Sequence, residues 1–493
     1  MSERVRDLIV VGGGVNGTGI ARDAAGRGLD VLLVEQDDLA SATSSASTKL
    51  IHGGLRYLEY YEFRLVREAL TEREVVLKAA PHIVWPLTFV LPHTPDQRPA
   101  WMLRAGLFLY DHLGGRDRLP GSRAVDLHGP FGRGLEPRFG KGFTYSDCWV
   151  DDARLVALNA VGARDKGAEI LTRTRCLAAR RADGLWTVEL EGRGPVHARA
   201  LVNAAGPWVE QFRRKGLGAN AGPTVRLVKG SHIVVPKRHD GDHAFMLQND
   251  DKRVIFVIPY ETDFSLIGTT DIAVDGPPGP VSISSEETEY LCRAANRFLD
   301  LKADPGQVAW SYSGVRPLFD DGSDDPSAVT RDYVLEVEDQ DGRAPALSIY
   351  GGKITTYRRL AEHALEKLAP YFPAMGRAWT EAAPLPGGDM AGADFEAFLD
   401  GLRRRFPELR PGLVKRLARR HGTRVDRMLE GVRGEADLGT RFGSDLYRRE
   451  VDWLMAEEWA RRAEDVMWRR TKAGLRLTPA QRAALAEYMN ARA

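Results

Sequence analysis

The sequence predicts an α/β and α+β protein: a domain opened by a βαβ unit, a β-rich cap inserted into it, and an all-α domain at the C-terminus. Three observations predict this. Residues 7–36 read strand, glycine turn, helix, strand; residues from about 170 to 350 break into short strand-like pieces; and the chain beyond a Pro/Gly cluster at 382–395 is helical and rich in arginine. With 493 residues, 43% of them hydrophobic, the chain is long enough for two or three buried cores.

Each element has its own signal. Leu8 to Val11 and Val31 to Val34 are short, continuously apolar runs of the kind that a parallel strand covered on both faces requires. The small-residue stretch between them reads as the connecting helix. Residues 60–80 carry helical periodicity, and "RPAWMLRAGLFLYDHLGG" (98–115) reads as a short apolar helix broken by glycines. The pieces "GLWTVELEG", "GSHIVVPKRH", "KRVIFVIPYETDFSLIGTTD" and "APALSIYGG" then suggest a mixed or antiparallel sheet. The expected divisions are residues 1–80, 145–225 and 330–380 for the first domain, 81–144 and 226–329 for the cap, and 390–493 for the helical domain, with 382–395 as linker.

Charge and cysteine content exclude more than they assign. The formal net charge is +1, so nothing global marks a nucleic-acid or acidic partner, although residues 401–493 hold 22 basic against 13 acidic side chains. Arginine-rich helices are most often solvated faces. Cys148, Cys176 and Cys292 are widely spaced, form no CxxC pair and suggest no metal site, which fits a reducing cytoplasm. The chain runs into "DLIVVGGG" without the pattern of a secretory signal, and no run approaches the roughly 20 apolar residues of a spanning helix. Any membrane contact is therefore expected at the surface.

Gly12, Gly14 and Gly17 form G-x-G-x-x-G after the first strand, with Asn16 inside the pattern and Glu35 ending the second strand 18 residues beyond the third glycine. In a Rossmann-type domain the first glycine permits the tight turn, the second admits a pyrophosphate, and the third lets helix and strand pack closely. The helix N-terminus then offers amide donors to phosphate, and Glu35 can accept from ribose hydroxyls, which argues against a 2′-phosphorylated ligand. This fingerprint does not separate NAD from FAD. Two further glycine turns do: Ala205, Gly206 and Trp208 in "ALVNAAGPWVEQF", and Gly351, Gly352, Lys353, Thr355 and Thr356 in "LSIYGGKITTYRRLAEHAL". Either turn alone reads equally well as an ordinary strand-to-helix connection. Three in one chain favour a long dinucleotide such as FAD, with a helix N-terminus placed to stabilise a reduced ring.

The motifs "GGGVNGTGIARDAAGRGL", "SSASTKLIHGGLRYLEYYEFRLV", "YSDCWVDDARLV", "NAAGPWV", "KGSHIVVP", "IGTTD", "YSGVRPL", "TRDY" and "GGKITTYRRLAEHALEKL", with "AWT", "LPGG" and "WRRTK" further on, span residues 8–472. On these motifs the chain resembles the FAD-dependent, quinone-linked glycerol-3-phosphate dehydrogenases of the aerobic respiratory type, within the flavin oxidoreductases similar to D-amino-acid oxidase. The resemblance implies oxidation of sn-glycerol 3-phosphate to dihydroxyacetone phosphate by hydride transfer to non-covalently held FAD. His52 is the position at which a covalent link would be sought. Electrons would pass to ubiquinone or menaquinone from a protein attached peripherally to the inner face of the cytoplasmic membrane. A homodimer remains open, and no nucleic-acid partner is implied.

A dianionic phosphate calls for guanidinium groups, whose planar fork suits its oxygens. Arg316 and Arg331 are similar to the family's phosphate-side arginines, and Arg56 and Tyr57 are expected at the same pocket. Ser44, Ser45, Thr48 and Lys49 are expected to wrap the cofactor, with His52, Gly53 and Gly54 bringing backbone close to its ring. Oxidising a carbinol also needs a proton acceptor at the C2 hydroxyl, for which His232, Lys353 and His52 are the candidates. Lys353 suits ring electrostatics and His232 substrate contact. Thr270 reads either as a substrate partner or as a strand-end residue satisfying backbone. Two helices, "YRRLAEHALEKLAPYF" (357–372) and "WMLRAGLFLYDHL" (101–113), have patterns compatible with a bilayer surface, and the first fits equally well as a packed core helix. An oxygen-reducing glycerol-phosphate oxidase, an amino-acid or amine oxidase of the same fold, and a flavin-bound nucleic-acid or regulatory module are the alternatives.

Overall fold

The computed structural model describes residues 4–492 except 96, 219–221, 252 and 321–331. Its first sheet is built on β1 (Val5–Val11), which continues through α1 (Val15–Gly26) into β2 (Val31–Val34). β1 lies parallel to β2 on one side and to Val196–Asn203 on the other, and the latter runs parallel to Arg343–Tyr350. Glu169–Leu171 extends the sheet beyond β2, Val334–Gln340 closes the far edge antiparallel, and the hairpin of Cys176–Ala182 and Leu185–Leu190 is attached to Val196–Asn203. All four residues of β2, and Leu8 to Val11 of β1, are buried, as strands covered on both faces must be.

Small residues on α1 let other helices approach it. Ile20, Ala21, Ala24 and Ala25 join one core with residues of the helices Asp152–Asp165 and Tyr357–Leu368. A side chain at Gly19 would press on the Tyr357 ring, and one at Gly26 on the Trp379 indole.

The second sheet, of ten strands among the described residues, holds most of the segments expected to form the cap. Its longest member, Val225–Pro236, pairs antiparallel with Phe264–Gly268 and with Trp310–Phe319. Alternation along it divides two cores: Ile233 and Val235 pack with Leu291 and Phe298 near the helix Ser285–Asn296, whereas Val234 packs with Leu70, Leu107 and Tyr260 on the other face. The whole strand Lys141–Val150 pairs with Val84–Pro92 in this sheet, so it crosses the boundary expected at residue 145, and Leu50–Ile51 adds a short edge strand from the first segment.

The C-terminal part is chiefly helical, with Phe395–Arg405, Pro411–His421, Arg448–Glu457 and Pro479–Asn490 as its main helices. The all-α expectation is modified by one small hairpin, Arg441–Gly443 with Leu446–Tyr447. The 382–395 segment is docked rather than a free linker. Leu385 is buried in the first core and its amide donates to the Ala79 carbonyl at 2.8 Å, while Arg22 Nη2 donates to the Pro384 carbonyl at 2.9 Å.

Candidate cofactor and substrate site

The fingerprint glycines have separate steric reasons. Gly12 sits at φ +116°, where L side chains are strained, and a Cβ there would collide with the Ala204 carbonyl. A Cβ at Gly17 would collide with the Gly12 carbonyl, so this glycine seats α1 on the turn. Gly14 caps α1 without a side chain, and Ser44 Oγ accepts from the first helical amide, Val15 N, at 3.0 Å. Glu35 accepts from Gly13 N at 2.6 Å and from Asp37 N at 2.9 Å. Burial raises its pKa above the usual carboxylate value, and the two amide hydrogen bonds oppose that rise. Gly13 is a requirement that the three-glycine pattern does not reveal: a Cβ there would lie 2.9 Å from the Glu35 side chain.

The residues present fit a dinucleotide. Asn16 Oδ1 is buried without a partner among the described residues, beside Gly352 and below Gly351, whose carbonyl accepts from Asn16 Nδ2 at 3.5 Å. Gly206 has φ +55° and open space where its side chain would be, and Ala205 and Trp208 flank it in the Gly206–Trp208 turn. With Glu35 and the α1 N-terminus, these groups line a cradle of glycine backbone and polar atoms that FAD would suit.

Segment 43–57 ties that cradle to the cap. Ser44 meets α1; Thr43 Oγ1 donates to the Val315 carbonyl at 2.6 Å; Tyr312 OH donates to the Ser47 carbonyl at 2.9 Å; and Thr48 Oγ1 lies 3.0 Å from His232 Nε2. Further along, His52 N donates to Thr355 Oγ1 at 3.2 Å, and Lys353 Nζ stands 4.2 Å from the Tyr57 ring centroid. Thr356 is buried beside Thr355 at the head of the helix Tyr357–Leu368. Arg56 makes no hydrogen bond or ion pair among the described residues and is half-buried.

Several expected roles change. Lys49 is buried in an ion pair with Asp152, at 2.8 and 2.9 Å, and also donates to the Ser45 carbonyl at 3.0 Å, so its ammonium is committed to protein. Ser45 itself turns its hydroxyl to the Ala42 carbonyl at 3.4 Å. A Cβ at Gly53 would collide with Leu70 and Tyr110, and Gly54 sits at φ +77° with the Tyr57 ring in the space of its side chain, so packing and backbone conformation require glycine at both positions. Thr270 donates to the Glu287 carboxylate at 2.8 Å and accepts from Ser231 N at 2.9 Å, so its hydroxyl has both a side-chain and a backbone partner within the protein. Arg316 donates to the Thr270 carbonyl at 3.0 Å and pairs with Asp271 at 2.5 Å while remaining half-exposed. Arg331 lies outside the described residues.

His232 is buried, stacked on Tyr312 with ring centroids 4.9 Å apart. Burial, with Lys49 and Arg316 nearby, holds its pKa well below the ordinary 6.5, so the imidazole is neutral. Asp147 and Asp152 were missed as site residues, although "YSDCWVDDARLV" contains both. Asp147 accepts from Tyr110 OH, Arg73 and Gly53 N, fixing the turn before Arg56, and Asp152 anchors Ser47 and Lys49.

Of the two surface-helix candidates, the structure removes one. The helix Tyr357–Leu368 buries Leu360, Ala364, Leu365 and Leu368 in the first core, and Arg358 is buried against Glu72 at 2.5 and 2.8 Å. The helix Ala100–Leu113 buries only Leu107 and Tyr110 and leaves Trp101 70% and Phe108 58% exposed. No helix among the described residues is long and apolar enough to cross a membrane.

Comparison with known proteins bears directly on this geometry. Residues 7–358 match the FAD dependent oxidoreductase family, and residues 378–492 match the C-terminal domain of alpha-glycerophosphate oxidase. The chain is 56% identical over 489 residues to a glycerol-3-phosphate dehydrogenase of Pseudomonas aeruginosa, covering 98% of this chain and 95% of the relative. It is 55% identical over 490 residues to a D-erythritol 1-phosphate dehydrogenase of Brucella abortus, covering 98% and 97%. Among solved structures, the glycerol-3-phosphate dehydrogenase of Bacillus halodurans complexed with FAD superposes with a TM-score of 0.75 at 29% identity, covering 96% of this chain and 87% of that one.

Proposed function

The chain belongs to the FAD-dependent oxidoreductase family, and on that premise we propose that it oxidises the C2 hydroxyl of sn-glycerol 3-phosphate to dihydroxyacetone phosphate and passes the electrons to a membrane quinone. The observation that carries this reading is segment 43–57, which touches the α1 N-terminus, the 351–356 turn and the cap strands within one short stretch. FAD, when bound, supplies the hydride acceptor. The protein supplies charge and position. Arg56, free of protein partners among the described residues, and Arg316, half-exposed beside Asp271, are the cations offered to the substrate phosphate, with Arg331 expected to join them. Neutral His232, hydrogen-bonded to Thr48, is the acceptor for the hydroxyl proton as hydride leaves C2. Lys353, held over Tyr57, adds positive charge at the turn facing the cofactor.

The same family contains the D-erythritol 1-phosphate relative, so a longer polyol phosphate is the specific second reading. Both share the phosphate clamp and differ at the far end of the polyol. Anaerobic flavin bleaching separates them: sn-glycerol 3-phosphate reduces the protein faster than D-erythritol 1-phosphate, glycerol does not reduce it, and Arg316→Ala is reduced far more slowly than wild type. Faster reduction by the erythritol ester establishes the second reading, and bleaching by unphosphorylated polyol overturns both.

The proposed attachment is peripheral, at the inner face of the cytoplasmic membrane, through the helix Ala100–Leu113. Trp101, Met102, Phe108 and Leu109 are exposed on it, and Tyr60, Tyr61 and Phe63 are exposed at the start of the neighbouring helix Phe63–Ala79. Aromatic and aliphatic groups gathered at a surface in this way suit a bilayer interface, where ubiquinone or menaquinone resides.

A further inference from the structure

Four rings form a continuous column from the C-terminal domain into the candidate site. Trp468 stacks on Trp310 with centroids 4.6 Å apart and planes 13° apart; Trp310 meets Tyr312 at 4.9 Å and 42°; Tyr312 stacks on His232 at 4.9 Å and 17°. The column follows from strand geometry. Trp310 and Tyr312 are alternate residues at the start of Trp310–Phe319 and so share a face, and Tyr312 is the cross-strand partner of His232.

The far end of the column is fixed by charge. Beside Trp468, Arg470 donates to Asp38 at 2.7 and 2.8 Å with both groups buried, Arg469 pairs with Asp38 at 2.6 Å, and Lys472 pairs with Asp151 at 3.3 Å. Asp38 lies three residues after Glu35, and Asp151 is next to the Asp152 that holds Lys49. Lys49 Nζ in turn lies 4.8 Å from the Tyr312 ring centroid, so the column is braced along its side. Gly474 leaves room for the Trp468 indole, which a Cβ at that position would approach to 2.5 Å.

We propose that Trp468 is a positioning residue for His232, acting through Trp310 and Tyr312, so that the C-terminal domain sets the pose of the proton acceptor. The proposal rests on the reading of His232 given above. Nothing in the column carries charge in this account; the rings transmit shape. A displacement of about 1 Å at a reacting group is enough to cost on the order of a hundredfold in rate, so a stack that holds one imidazole matters even at a distance. The groups facing His232 are Thr48 at Nε2, the Tyr312 ring, and the charges of Lys49 and Arg316. Loosening the column admits water around the ring and lets its pKa rise toward the ordinary 6.5.

The test compares Trp468→Phe with Trp468→Leu in FAD-loaded protein. Both replacements are apolar, and only phenylalanine keeps a ring face. The expected result is that Trp468→Leu keeps its flavin and substrate KM but is reduced by sn-glycerol 3-phosphate about tenfold more slowly. Its rate falls as pH drops through the region of 6.5, whereas wild type and Trp468→Phe stay within about twofold of each other and lack that acid limb. An imidazole signal, assigned with His232→Asn and shifted by the Tyr312 ring current, moves in the leucine variant and not in the phenylalanine one. Equal rates, pH profiles and imidazole signals for leucine and phenylalanine overturn the proposal, as does parallel loss of flavin and rate in both, which marks a purely structural role. If Trp468→Leu does not fold, Trp310→Phe and Trp310→Leu make the same comparison one ring closer. If wild type is not reduced by sn-glycerol 3-phosphate, the functional reading fails, while the imidazole signal still decides whether the column holds His232.

Discussion

The helices Tyr357–Leu368 and Ala100–Leu113 have similar length and both pair apolar residues with cations, yet the fold uses them in opposite ways. The first puts its apolar stripe against α1 and places Arg358 between Glu72 and Glu362, all three buried. The second keeps Leu107 and Tyr110 inside and turns Trp101 and Phe108 outward. Periodicity reports that a helix has an apolar face; it does not report what covers that face. The cover is decided by partners far along the chain, such as Glu72, 286 residues from Arg358.

Substitutions can sharpen this contrast. The largest effect is expected from Arg358→Ala, which leaves Glu72 and Glu362 buried without their shared cation and should lower stability by about 3–5 kcal/mol in chemical denaturation. Next comes Leu365→Ala, a cavity in the first core costing about 2–5 kcal/mol in the same measurement. The double variant Trp101→Ser, Phe108→Ser should change stability by less than about 0.5 kcal/mol per site, because both side chains already face solvent. The same variant should sediment with anionic vesicles much less than wild type. A large loss of stability on that exposed face, or undiminished vesicle binding, would erase the contrast between the two helices.

What could be read in the sequence was the part encoded locally. The turn at Gly12 to Gly17, the acid at Glu35 and the Thr355–Thr356 helix start are consequences of residues a few positions apart, and each of these local features is present in the structure. The fold class was legible for the same reason, since strand and helix periods are local. Pairings across long separations were not. Lys49 follows a hydroxyl-rich turn and looks poised for a ligand, but Asp152 takes it, 103 residues away. Gly53 reads as room for a flavin, and the steric demand of Leu70 and Tyr110 on the same position is not visible in its neighbours along the chain. The basic surplus of the C-terminal domain looked like an outward face, whereas Arg470 reaches Asp38 and Arg420 reaches Glu450 in largely buried pairs. The column from Trp468 to His232 left no local signal at all, because its rings come from two domains and two strands.

The central claim is that segment 43–57 joins a cofactor cradle to a substrate site, with Arg56 on the substrate side. Its most direct test is the flavin absorbance of Arg56→Ala, before and after anaerobic addition of sn-glycerol 3-phosphate. The account predicts full flavin content with bleaching slowed by about a hundredfold or more, since a charge-assisted clamp is lost and the cradle is untouched. Loss of flavin from the variant, or bleaching at the wild-type rate, would contradict it.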